Sequence, residues 1–205
     1  MLLHVIYLIA ITAEAVTGAL SAGRQRMDLF GVVTIACVTA LGGGSVRDVI
    51  LGHYPLGWVK HPEFLYYTIG AALITTFVAR WLHYLRTIFL ILDGLGLVAF
   101  TLIGCAIARE LNCPTMVVLI AGMLTGVSGG VLRDVLCNQV PLVFQKELYA
   151  SVSLCTGVAY LALLHFQVND NTATLLCLSG GLLLRLLAIK YSWRIPTFTY
   201  DDNMH

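Results

Sequence analysis

Two near-copies of one short stretch hold the residues best suited to chemistry. They are Gly42-Gly43-Gly44-Ser45-Val46-Arg47-Asp48 and Ser128-Gly129-Gly130-Val131-Leu132-Arg133-Asp134. Each places small residues just ahead of an arginine-aspartate pair, and both lie in long apolar runs. Glu14, Asp93 and Arg185 are further charges inside apolar runs. A charge in hydrocarbon costs several kcal/mol or more, so such residues by default mark a functional interior. Glycine lets a helix bend and frees its carbonyls and amides. Freed backbone is tolerated at membrane depth only where it is buried in protein or lines water. The chemistry these residues suggest is the handling of ions or small polar solutes, not the making of bonds. No motif for ATP, redox cofactors or nucleophilic catalysis is visible. The six cysteines lack metal-site spacing and read as small packing residues. The chain therefore reads as a non-enzyme without a cofactor, and its net charge of +1 gives no sign of nucleic acid as a partner.

Plainer readings stand beside these. Gly122, Gly126 and Gly130 form a small-residue ridge at four-residue spacing, matched by Ala36, Ala40 and Gly44, and such ridges let helices approach closely. Arg47 and Arg133 could end their helices at the headgroup boundary. If the helices run on, adjacent arginine and aspartate do not face each other, so each arginine needs a partner from another span. Glu14 and Asp93 are the acids available. Glu14 in turn reads as neutral, paired or water-facing. Asp93 reads equally as a helix N-cap. Arg185 is expected to snorkel toward the cytoplasm. Tyr66, Tyr67, Trp58, Trp81 and Trp193 suit an aromatic belt.

The elements that must position these residues are membrane helices. The chain has 205 residues, of which 59% are hydrophobic and 11% charged. Soluble domains carry about 25% charged residues. Continuous apolar runs exclude a barrel, whose strands alternate in polarity. A spanning helix needs about 20 mostly apolar residues. Seven stretches qualify: 1–23, 29–51, 63–82, 87–108, 114–137, 146–166 and 171–189. The first reads as a span, not a removed signal. Residues 53–62 read as a loop, and a loose tail holds Pro196, Asp201 and Asp202. Arg24, Arg26, Arg80, Arg86, Lys146, Lys190 and Arg194 fall on the side of the C-terminus, against Lys60 and Arg109 opposite. The positive-inside rule then puts the N-terminus outside and the C-terminus in the cytoplasm.

An offset of 86 residues superposes the two motifs and also pairs Gly18 with Gly104, Thr39 with Thr125 and Pro55 with Pro141. Three spans per copy invert the second copy relative to the first. The expected organisation is a three-helix repeat over 1–86, an inverted repeat over 87–169, and a seventh helix with a cytoplasmic tail over 170–205. The fold class is an all-α membrane protein whose spans two and five, kinked at Gly42, Gly43, Gly44 and at Ser128, Gly129, Gly130, meet near the midplane. Arg47, Asp48, Arg133, Asp134, Glu14 and Asp93 are the candidate gating or pore charges.

These residues carry a family resemblance. Ser21-Ala22-Gly23-Arg24 through Asp28-Leu29-Phe30-Gly31, the two glycine-arginine-aspartate motifs, Leu92-Asp93-Gly94-Leu95-Gly96 and Ile195-Pro196-Thr197-Phe198 span nearly the whole chain. It resembles a bacterial membrane family of putative glycine transporters, related to the trimeric intracellular cation (TRIC) channels. The resemblance implies a multi-pass protein of the inner membrane and a homotrimer. It also implies a pore inside each protomer and potassium or sodium as permeant ions. Ser128 and Glu14 depart from the pattern: one replaces a glycine, the other is charged where an apolar or aromatic residue is expected. On physics alone a cation channel and a transporter of a small zwitterion such as glycine both remain open.

Overall fold

The structure is a computed structural model and describes residues 2–81, 84–145, 148–191 and 193. The Arg80 side chain, Lys146 and residues 194–205, including the expected tail, lie outside the described residues. Among the described residues all regular structure is helical. In chain order the helices are α1 (Leu2–Arg24), α2 (Leu29–Leu51), α3 (Gly57–Lys60), α4 (Glu63–Val78), α5 (Leu85–Glu110), α6 (Thr115–Leu136), α7 (Leu142–Gln145), α8 (Tyr149–His165) and α9 (Asp170–Tyr191). A 3₁₀ turn over Ala79–Trp81 follows α4.

Local chemistry sets the boundaries. Arg24 and the turn after it end α1, and the Asp28 carboxylate then caps α2 by accepting from the Gly31 N–H at 2.8 Å. Gly52 ends α2 in the left-handed region at φ 64°, where glycine carries no Cβ penalty, and donates its N–H to the Asp48 and Val49 carbonyls. Two short helices were not expected. The region read as a loop contains the single turn α3, and α7 matches it in the second half.

α1, α2, α5, α6 and α9 are long and apolar enough to cross a membrane. α4 and α8 are apolar but shorter, with 16 and 17 residues. Both fall below the 20-residue spans expected for these regions. At about 1.5 Å per residue they reach about 24–26 Å, less than a typical hydrocarbon core of about 30 Å.

Packing follows the 86-residue offset. α1 packs on α2 and α4 as α5 packs on α6 and α8, α2 touches α4 as α6 touches α8, and α2 crosses α6 between the halves. α9 lies outside this pattern, against α5 and α8. Close contacts repeat too. A Cβ on Gly18 would lie 2.7 Å from the Ala36 Cα and 2.8 Å from the Thr39 hydroxyl. A Cβ on Gly104 would lie 2.8 Å from the Thr125 Cβ and 2.9 Å from the Ala121 carbonyl. At the central crossing a Cβ on Gly43 would strike the Thr125 carbonyl, and one on Gly129 the Thr39 carbonyl. These two contacts are the same contact seen from each half.

The helical hydrogen bonding runs unbroken through Gly42–Gly44 and through Ser128–Gly130. The carbonyls and amides expected to be freed there stay within their helices. Close packing is what these glycines provide. Among the expected belt residues, Tyr66, Tyr67, Trp81 and Trp193 are exposed, whereas Trp58 packs on the core beside α1 and α4. All six cysteines are free thiols. Cys105, Cys137 and Cys177 are buried, but Cys155 faces outward and is not a packing residue.

Because the neighbours of Gly43 and Gly129 are backbone, they cannot swing aside. Gly43→Ala and Gly129→Ala should each cost about 1–3 kcal/mol, the usual range for overpacking. The readout is a lower midpoint of thermal unfolding in detergent. Gly180→Ala, whose added methyl meets nothing within 4 Å, should show no loss.

Candidate functional site

The three small residues of each motif point in three directions, because successive helical positions differ by about 100°. The middle glycine meets the partner helix. The last one, Gly44 or Gly130, faces the arginine of its own motif: a Cβ there would lie 3.7 Å from Arg47 Nη2 or 3.5 Å from Arg133 Nη2. Gly42 instead meets the Leu132 side chain, while its counterpart Ser128 is only half-buried. The glycines thus bring α2 and α6 together and leave room beside each arginine.

The second half builds the denser cluster. Arg133 is fully buried. Its Nε donates to Asp134 Oδ1 at 2.8 Å, and its Nη1 donates to Asp93 Oδ1 at 2.9 Å and to the Thr17 hydroxyl at 3.2 Å. Glu14 Oε2 lies 3.9 Å from Nη1 and accepts from the Thr17 hydroxyl at 2.9 Å. The Tyr149 hydroxyl donates to Asp93 Oδ1 at 3.3 Å. The guanidinium also sits 4.6 Å from the centre of the Phe89 ring. Four helices, α1, α5, α6 and α8, contribute to this cluster.

The first half is simpler. Arg47 Nε and Nη2 both donate to Asp48 Oδ1, at 2.9 and 2.7 Å. His53 Nδ1 approaches the same oxygen at 3.1 Å. Among the described residues Asp48 is the one ionic partner of Arg47. The halves differ because Tyr7 stands at the offset position of Asp93, and the offset partner of Glu14 is Phe100. Glu14 itself belongs to the first copy yet serves the second cluster.

Three sequence expectations need correction. Adjacent arginine and aspartate do bond in both motifs, since the long arginine side chain curls around its own helix where little water competes. Arg133 also finds the expected partners on other spans, but Arg47 does not. Asp93 is no N-cap: it lies more than two turns inside α5 and is fully buried. Arg185 does not snorkel. It is 2% exposed, with its guanidinium 4.6 Å from the Tyr149 ring centre.

Two features had no reading in the sequence. Asp48 Oδ2 accepts from the Gly57 N–H at the start of α3, and Asp134 Oδ2 accepts from the Leu142 N–H at the start of α7, both at 2.9 Å. Each aspartate therefore ties its arginine to the short helix that follows. Gly94 and Gly96 seat side chains that no Cβ would admit: Arg185 rests on Gly94 and Glu14 on Gly96. The repeated aspartates and the Asp93-Gly94-Leu95-Gly96 segment were the available signals. Several polar atoms are buried without a described partner: Arg47 Nη1, Asp93 Oδ2, Arg133 Nη2, and Arg185 Nε and Nη2. No group of His, Cys, Asp and Glu among the described residues could hold a metal ion.

Apolar helices enclosing buried ionised side chains define a multi-pass membrane protein with a charged interior. The chain belongs to the glycine transporter family, whose model matches residues 4–80 and again 90–165. The two matched stretches begin 86 residues apart, at 4 and 90, the offset that relates the motifs. The chain is 35% identical to the inner membrane protein YadS of Escherichia coli, over 99% of both chains. It is 36% identical to a membrane protein of Vibrio cholerae, over 96% of this chain and 83% of that one. Among solved structures it is similar to the TRIC trimeric intracellular cation channel orthologue from Rhodobacter sphaeroides. That match has a TM-score of 0.89 and 29% identity, over 93% of this chain and 98% of the other. A second TRIC cation channel structure matches at a TM-score of 0.87 with 31% identity, over 97% and 98% of the two chains. The resemblance to the TRIC family drawn from the motifs therefore holds across sequence and fold.

The cluster makes a stability prediction. Asp93→Ala leaves the Arg133 charge buried without its closest partner on another helix. Breaking such a pair costs about 3–5 kcal/mol. Little monodisperse protein should survive detergent extraction. Adding Arg133→Met together with Asp134→Asn, which leaves neither ion pair with a lone member, should restore part of the yield and of the thermal midpoint.

Proposed function

We propose that this protein is a monovalent cation channel of the inner membrane, conducting potassium and also sodium. In this reading each protomer of a homotrimer holds its own pore, lined by α2 and α6. Seven helices span the bilayer: α1, α2 and α4, their inverted counterparts α5, α6 and α8, and α9. The N-terminus is outside and the C-terminus cytoplasmic, in keeping with the positive-inside rule.

One observation carries the reading: ionised side chains are buried in the middle of a membrane bundle. Glu14, Asp48, Asp93 and Asp134 oppose Arg47, Arg133 and Arg185, all buried. Asp93 Oδ2 has no described partner. Ionisable residues at membrane depth by default mark a functional interior. A buried carboxylate oxygen without a described partner favours cations over anions. The similarity to solved TRIC cation channels points the same way.

The two arginines divide the work. Arg133, bonded to two aspartates and facing Glu14, anchors the bundle. Arg47, held by Asp48 alone among carboxylates, is the residue whose movement would open or close the path. Bending of α2 beside Gly44 would carry it. An uncompensated unit charge about 4 Å from the path contributes about 4 kcal/mol at an effective dielectric of about 20, enough to stop most cations.

A second reading, transport of a small zwitterion such as glycine, is favoured by the family description. It lacks the freed amides that were to hold the carboxylate, because both motif helices are unbroken. Purified protein in liposomes separates the two readings. Under an imposed voltage and without added solute, the channel reading predicts sustained potassium flux. Flux that appears only with glycine on one side would replace it with the transporter.

A further inference from the structure

Near the N-terminal end of α1 a cavity of about 280 Å³ opens among α1, α2, α3, α4 and the end of α5. Its wall is unusually basic for a membrane bundle. Arg47 and Lys60 line it together with His4, His53 and His61. Glu110 is the one acid on the wall, and it is exposed. Asp48 lies behind Arg47 with both oxygens engaged. Oδ1 accepts from Arg47 and meets His53, and Oδ2 accepts from the Gly57 N–H.

The guanidinium is thus satisfied on one edge only. Nε and Nη2 spend their bonds on a single aspartate oxygen. Nη1 is buried and has no partner among the described residues, although Arg47 is only 3% exposed and lines the cavity. An unsatisfied charged donor in such a place costs more than an ordinary lost hydrogen bond. Arginine's planar fork suits two-oxygen acceptors. In the second half Asp93 takes Arg133 Nη1, where the first half has Tyr7, and Nη2 is the nitrogen left without a described partner. The sequence change from Asp93 to Tyr7 between copies removes an internal anion from beside the arginine.

We propose that this cavity is a binding site for a small soluble oxyanion, a carboxylate or a phosphate, anchored by Arg47 Nη1. Lys60 at the rim attracts the anion, and Tyr7 walls the inner side. The occupant meets Arg47 Nη1 as Asp93 meets Arg133 Nη1. The site shares Arg47 with the conduction reading, but its test measures binding and not flux, so either can fail alone.

The test is isothermal titration of the detergent-purified protein with sodium phosphate and with sodium acetate at constant ionic strength. One saturable site per chain is expected for at least one of the two anions, and the tighter one identifies the source. Arg47→Gln/Asp48→Asn, which removes both charges and strands neither, should weaken binding at least tenfold. Lys60→Gln should weaken it a few-fold, and more at low salt. No saturable heat with either anion would overturn the proposal. So would binding unchanged in Arg47→Gln/Asp48→Asn, which would place the anion elsewhere. Competition confined to micelles containing phosphatidylglycerol, with no effect of phosphate or acetate, would assign the cavity to a lipid headgroup and overturn the soluble-anion assignment.

Discussion

Where α2 crosses α6, Gly43 rests on the Thr125 carbonyl and Gly129 on the Thr39 carbonyl. No hydrophobic effect draws helices together inside lipid, so close backbone packing must supply much of the association. The rest of the bundle is arranged around this contact. It fixes the register of the two motifs, and so the places where Arg47 and Arg133 leave their helices. A methyl group at either glycine would strike backbone of the partner helix, which cannot swing aside.

The electrostatics then break the symmetry that the backbone keeps. Arg133 is surrounded by Asp134, Asp93 and Glu14, and a tyrosine and a threonine complete the shell around these acids. Arg47 has Asp48. Two sequence differences between the copies produce this, Tyr7 against Asp93 and Glu14 against Phe100. Burying an ion pair seldom adds stability over an apolar substitute, whereas removing one member is costly. The dense cluster ties four helices together. The sparse one ties Arg47 to Asp48 and the start of α3.

Much of the fold was legible because its signals are local or periodic. Long apolar runs mark α1, α2, α5, α6 and α9 to within two or three residues at each end. The fixed offset linking Gly43 with Gly129 and Thr39 with Thr125 announced a contact that the structure makes reciprocal. The short helices α3 and α7 were hidden, because a carboxylate eight or nine residues earlier organises each of them. The site was legible in membership but not in wiring. Glu14 and Asp93 were named as partners for arginine, yet both serve Arg133. Their shared attachment depends on how α1 packs against α5 beside Gly96, which no linear pattern records. Arg185 was misread for a related reason. Its depth is set by contact with Gly94 and Tyr149, on helices distant in sequence.

The central claim is that the Arg47 charge controls a cation path that Arg133 only helps to build. Single-channel recording of Arg47→Gln/Asp48→Asn in planar bilayers tests it most directly, since the folded bundle keeps the whole Arg133 cluster. The account predicts higher unitary potassium conductance or higher open probability than in the unaltered protein. Potassium currents with unchanged conductance and gating would contradict it, and would leave Arg47 as a tie between α2 and the start of α3.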